Sequence, residues 1–143
     1  MRVNVELNVS DVEFYTVMMD SLKEDVKRYA KKGTKLKEGI QYKKSSSQRS
    51  GIGSKITVTI QKLVENQLYV ASFKTAIDYT QVSYEITKLK DSKIRVTYEE
   101  KYENVSNDKI PAWKQKMAEK QSAKRTKKML KEVETFIISK RDK

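Results

Sequence analysis

Neither cysteine nor histidine occurs among the 143 residues of this chain. Without cysteine there is no disulfide, no thiolate zinc site and no thiol nucleophile, a composition compatible with a reducing compartment. Without histidine there is no imidazole to act as general base, to partner a serine nucleophile or to supply the nitrogen ligand of most transition-metal sites. Neither a metal site nor a cofactor is expected. Proline occurs once and glycine four times, too sparsely to mark a linker, and no fixed-period repeat divides the chain. A single domain over residues 1–143 is therefore expected, a length at which about two-thirds of the unfolded surface can be buried. No stretch approaches the roughly eighteen apolar residues of a membrane span. The opening MRVNVELNVS alternates in polarity and lacks the apolar run of a secretion signal. Both features point to a cytoplasmic protein.

What the chain does have is charge. Lysine and arginine number 31 against 19 aspartates and glutamates, a formal net charge of +12. The excess is uneven, since twelve basic residues face only four acidic ones from Lys109 onward. An anionic partner would meet that end first. Apolar residues make up 37% and charged ones 35%, more polar than average, yet the alternating patterns are too regular for disorder.

Val3, Val5, Leu7 and Val9 alternate with Arg2, Asn4, Glu6 and Asn8, the period-two signature of a strand with one buried face. Ser10 and Glu13 have the spacing of a capping box, and Tyr15, Met18, Leu22, Val26 and Tyr29 follow as a helical stripe predicted to end near Gly33. Strand patterns return at Ile40 and Tyr42, at Ile56, Val58 and Ile60, at Tyr69, Ala71 and Phe73, at Val82, Tyr84 and Ile86, and at Ile94, Val96 and Tyr98. A Ser/Gly-rich turn or loop over Ser45 to Ser54 and turns at Glu65-Asn66 and Asp91-Ser92 separate them. Strands joined by short turns pair antiparallel, so a meander is the simplest topology. Pro111 suits the entry to a long last helix. At about 100° per residue, Ala118, Ser122, Met129, Leu130, Val133, Phe136 and Ile137 fall on one side of it. Lys120, Lys124, Lys127, Lys128 and Lys131 fall on the other, close to Trp113 and Met117.

The fold class read from this order is α+β: a curved antiparallel sheet of about six strands, a helix after the first strand, and a long C-terminal helix packed on the sheet. That order resembles the helix-grip fold of START-like and polyketide-cyclase-like domains, in which the sheet wraps the last helix and often encloses an apolar cavity. The stretches VNVELNVSDVEFY, QVSYEI, KIRVTYEEKYE and KRTKKMLKEVETFI are similar to a domain family of unknown function found in Firmicutes. The resemblance spans nearly the whole chain and implies the fold. It carries no catalytic motif and no catalytic residue.

Four sets of residues are candidates for function. Tyr42, Tyr69, Tyr84 and Tyr98 are expected to point inward with Ala71 and Phe73, placing hydroxyls in an apolar lining between sheet and helix. The commoner use of strand tyrosines is to fill a core with the hydroxyl at its rim. The lysines at 120, 124, 127, 128 and 131 could meet phosphates of nucleic acid or of an anionic membrane, with Trp113 and Met117 adding apolar contact. Lysine-rich helix faces are more often simply solvated. The run from Ser50 to Lys55 lacks the spacing of phosphate-binding loops and precedes a strand, so a turn is the better reading. Glu100 shares a face with Tyr98 and Val96 and could stand at the mouth of a cavity, or simply emerge into solvent with Glu99 and Glu103. An enzyme built here would depend on Glu, Asp, Lys or Tyr. The preferred expectation is a non-catalytic binding domain for a small apolar or amphipathic ligand, with an interaction module for a polyanion or acidic protein as the alternative.

Overall fold

The computed structural model describes residues 1–46, 54–104 and 111–141. Most of the Ser/Gly-rich run, residues 47–53, lies outside them, and with it the glycine loop expected there. The elements are β1 (Arg2–Leu7), α1 (Asp11–Tyr29), β2 (Gln41–Ser46), β3 (Ser54–Val64), β4 (Leu68–Lys74), β5 (Asp78–Lys90), β6 (Lys93–Asn104) and α2 (Ala112–Arg141).

The strands form one antiparallel sheet in the order β1-β6-β5-β4-β3-β2. From β2 to β6 it is the meander the short turns require, while β1 joins the last strand, Arg2 opposite Glu99 and Leu7 opposite Ile94. The register shifts between Ile60 and Lys62 on β3 and between Lys88 and Lys90 on β5. Such bulges bend strands. Both helices pack on the face that carries Val3, Val5, Leu7, Val58, Ile60, Ala71, Val82, Ile94 and Val96, and with them enclose one core. The opposite face is polar, with side-chain bonds running across it, among them Thr97 to Asn4 (2.8 Å) and Gln41 to Thr59 (3.0 Å).

The Ser10 hydroxyl accepts the Glu13 N–H at 3.1 Å and the Glu13 carboxylate accepts the Ser10 N–H at 2.9 Å, closing the expected capping box. The helix stops at Tyr29, short of Gly33, because Ala30 is extended and its N–H closes on Val26 O. Gly33 instead supplies a positive φ of 89° to the turn in which Thr34 N bonds Lys31 O.

α2 runs unbroken from Ala112 to Arg141, and Trp113 is exposed, as an unbroken helix requires. Its buried face is narrower than the sequence pattern implied. Thr126, Leu130 and Ile137 are buried, and Ala123, Met129 and Val133 pack partly against the core. Ala118 and Phe136, expected on the same side, are exposed. They are eighteen residues apart, about five full turns, and therefore share an azimuth roughly 100° from that of Ile137. Lys140 lies over the Phe136 ring at 4.8 Å.

Candidate functional site

Three of the inward tyrosines form a ladder across neighbouring strands. Tyr69 on β4 stands opposite Tyr84 on β5, which stands opposite Tyr98 on β6. Their ring centroids are 5.5 Å and 5.0 Å apart, tilted in the first pair and edge-to-face in the second. Such geometry is the attractive one for rings carrying a quadrupole. The adjacent row is Ala71, Val82 and Glu100, and the next is Phe73, Thr80 and Tyr102. Tyr69, Tyr98 and Ala71 are buried; Tyr84, Phe73 and Glu100 are half-buried. The alternation that marked these strands in the sequence is thus the device that gathers the residues on one face.

Tyr42 occupies a different place. It lies on β2, and its hydroxyl donates to Asp25 of α1 at 2.5 Å, where Lys44 also reaches the same carboxylate oxygen at 3.3 Å. This pair, seventeen residues apart, had no signal in the local pattern. Tyr42 fastens α1 to the sheet edge.

Burial pushes the phenol pKa of Tyr98 up, and the negative charge of Glu100 adds to it. Burial raises Tyr69 likewise, with Tyr84 and Asp25 contributing, and raises Tyr84 to about 12, with Glu100 contributing. All three are neutral hydroxyls at ordinary pH. Tyr98 donates to Glu100 at 3.2 Å, and the other Glu100 oxygen accepts from Ser122 of α2 at 3.4 Å. Glu100 therefore lies between the ladder and the helix. Among the described residues no protein group bonds the hydroxyls of Tyr69 or Tyr84, and no side-chain oxygen is both fully buried and unpaired. Each of these two hydroxyls consequently opens on accessible space.

Beyond Ser122 the helix leaves the core, and every residue from Ala112 to Gln121 is exposed. Lys120, Lys124, Lys127 and Lys128 are exposed along α2 as the sequence placed them. Lys131 differs, for its ammonium bonds the backbone oxygen of Glu6 at 3.1 Å and lies 3.6 Å from Glu134, tying the helix to β1. A feature the sequence reading did not single out is a cleft of about 450 Å³ at the C-terminal end of α1, floored by Val26 and Leu36 and edged by lysines 23, 27, 31, 32 and 35. Its signal was the four-residue spacing of Lys23, Lys27 and Lys31. Among the described residues no cluster of carboxylates could hold a metal ion, and no helix is long and apolar enough to cross a membrane.

The chain belongs to the family described as domain of unknown function (DUF3284), whose family profile matches residues 1–133. Among curated proteins none matches its sequence. Solved structures share the fold at low identity. A START superfamily protein from Mycobacterium smegmatis is 13% identical, with a TM-score of 0.66 and 97% of each chain covered. Protein Mll3558 from Rhizobium loti is 16% identical, with a TM-score of 0.65 and 94% of each chain covered. Norcoclaurine synthase from Thalictrum flavum, in complex with dopamine and hydroxybenzaldehyde, is 8% identical at a TM-score of 0.65, with 97% of this chain and 86% of that one covered. The fold is the START-like helix grip expected from the order of elements.

Proposed function

We propose that this member of the family is a non-catalytic binding domain for a small apolar or amphipathic molecule, held between the sheet and α2. The observation that carries the reading is the pair of tyrosine hydroxyls, Tyr69 and Tyr84, that open on accessible space on the inner face of the sheet and bond no protein group among the described residues. A buried hydroxyl without a partner is costly, so one left open to a small molecule is a ready donor for it. Val82 and the half-buried Phe73 lie on the same face beside the two tyrosines, and Glu100 offers a carboxylate acceptor near its α2 side. A solved structure of the same fold holds the small aromatic molecules dopamine and hydroxybenzaldehyde, which supports the fold's capacity for such ligands.

The test is titration of the purified chain with the amphipathic fluorophore anilinonaphthalene sulfonate and with medium-chain fatty acids competing against it. One saturable site is expected, weakened about tenfold when Tyr69→Phe and Tyr84→Phe are combined, the loss of two modest hydrogen bonds. No saturable binding of either probe to the folded chain would refute the reading. So would affinity indifferent to both substitutions.

A further inference from the structure

Among the described residues, four large apolar side chains are exposed at one end of the molecule. Ile77, 62% exposed, lies in the turn between β4 and β5, and Tyr102, 46% exposed, lies near the end of β6. Trp113 and Met117, 61% and 55% exposed, are one helical turn apart at the start of α2. The pairing of Asp78 with Asn104 sets the Ile77 turn beside the end of β6. The direction of α2 brings its first turns to the same end of the molecule, with Trp113 and Met117 on the side of the helix away from Ser122. Lys131 touches Glu6, which stands opposite Arg95, whereas Ser122 touches Glu100. Passing backward along α2 is therefore passing forward along β6, and the turns before Ser122 extend toward Tyr102 and Asn104.

Apolar tips from three separate segments thus project at this one end of the molecule. Lys114, Lys116 and Lys120 are exposed beside Trp113 and Met117 on α2, against the exposed Glu119, while Lys74, Lys101 and Glu103 are exposed at the same end on the polar face of the sheet, where Lys101 lies 3.6 Å from Glu99. The first turn of α2 holds no acidic residue, so the positive end of its dipole lies on this side. Lys114 lies over the Trp113 ring at 5.5 Å, so cation and indole present together.

We infer that this end of the domain docks on an anionic lipid bilayer, with Trp113, Met117, Ile77 and Tyr102 entering the headgroup region and the lysines meeting lipid phosphates. Tryptophan and tyrosine favour that interface because one part of the ring system is apolar and one part polar. Lysine ammonium groups on long stems suit a fluid array of phosphates. Ile77 and Met117 decide against nucleic acid, since an aliphatic tip offers no stacking platform for a base and does offer contact with acyl chains. The inference does not depend on a ligand between sheet and helix.

Trp113 is the only tryptophan, so the full chain carries its own reporter. Vesicles of phosphatidylglycerol and phosphatidylcholine should cosediment the protein and shift Trp113 emission to the blue, with quenching by bromine-labelled acyl chains. Pure phosphatidylcholine should do neither. Lys114→Glu, Lys116→Glu and Lys120→Glu together should lower partitioning at least about tenfold, and Trp113→Ala with Met117→Ala should lower it comparably in the sedimentation assay. An unshifted emission with anionic vesicles at low salt would overturn the inference. Stronger binding to nucleic acid or to an acidic polypeptide than to the vesicles would do so too, as would sedimentation indifferent to the apolar pair.

Discussion

Ser122 on α2 donates to Glu100 on β6 at 3.4 Å, and this bond lies at the point where the helix parts from the sheet. After it come the buried Thr126, Leu130 and Ile137; before it, from Ala112 to Gln121, every residue is exposed. One continuous helix thus has a packed half and a bare half. A helix half without an apolar face against a partner has little beyond its own propensity to hold it. Amide exchange should accordingly differ by about a hundredfold or more between residues 113–121 and residues 126–137, the latter approaching the protection of the sheet. Mass spectrometry of exchanged peptides reads this directly, and even protection along α2 would contradict the division.

The buried tyrosines should make stability fall at alkaline pH. Tyr42, Tyr69, Tyr84 and Tyr98 all have pKa values raised by burial, Tyr84 to about 12. An unfolded chain releases those protons near pH 10, about the ordinary tyrosine value. Above that pH the unfolded state binds fewer protons than the native one, so stability declines as pH rises and is intact below it. Urea midpoints measured between about pH 9 and 11 should drop steeply, and Tyr84→Phe should make the drop shallower by one group. A pH-independent midpoint across that range would show that the rings are not shielded as the structure has them.

On α2 Leu130 is buried as its spacing implied and Phe136 is not, and the contrast gives a mutational test. Leu130 is fully buried, so Leu130→Ala should cost about 2–5 kcal/mol of unfolding free energy by denaturant titration. Phe136, 46% exposed under Lys140, should tolerate Phe136→Ala within about 0.5 kcal/mol. Comparable losses at both positions would restore the wider buried face that the helical pattern implied.

That contrast also shows what a single sequence carries. Strands with one buried face must alternate, so Val3, Val5 and Leu7, or Ile94, Val96 and Tyr98, disclose their phase locally. The helix start was equally legible, because a capping box uses only Ser10 and Glu13. On α2 the apolar residues span a wider arc than the sheet covers, and nothing in the helix itself says which edge stays wet. Phe136 falls on the wrong side of that edge. The pairing of Arg2 with Glu99 and the bond from Tyr42 to Asp25 depend on tertiary closure, which no local spacing records. The buried Asp78 escaped notice for a local reason: Thr75 donates to its carboxylate and accepts its N–H, satisfying an acid that composition alone places outside.

Glu13 gives the last test, because one carboxylate serves both helices. It closes the α1 capping box on Ser10 and receives Arg141 from the end of α2, whose Nε lies 2.8 Å from Oε2. The Arg141 guanidinium holds its pKa down, against the opposing effect of burial and with help from Ser10, from an ordinary 4.5 to about 2. A depressed carboxylate stabilises the fold above the unfolded value and loses that contribution as pH falls through the folded one. The window therefore runs from about 4.5 down to about 2. Both side chains are about one-third exposed, so solvent screening reduces the contribution to about 1 kcal/mol at neutral pH. Glu13→Gln keeps a residue able to complete the capping box while removing the charge. The variant should trail the native chain by that amount at pH 7, and the gap should close on acidification and shrink in about 1 M salt. Arg141→Met should cost a similar amount, and the double variant little more than either single one, the mark of a shared interaction. A gap unchanged between pH 7 and about pH 3 would mean that Glu13 acts through its shape and hydrogen bonds, with the ion pair contributing nothing measurable.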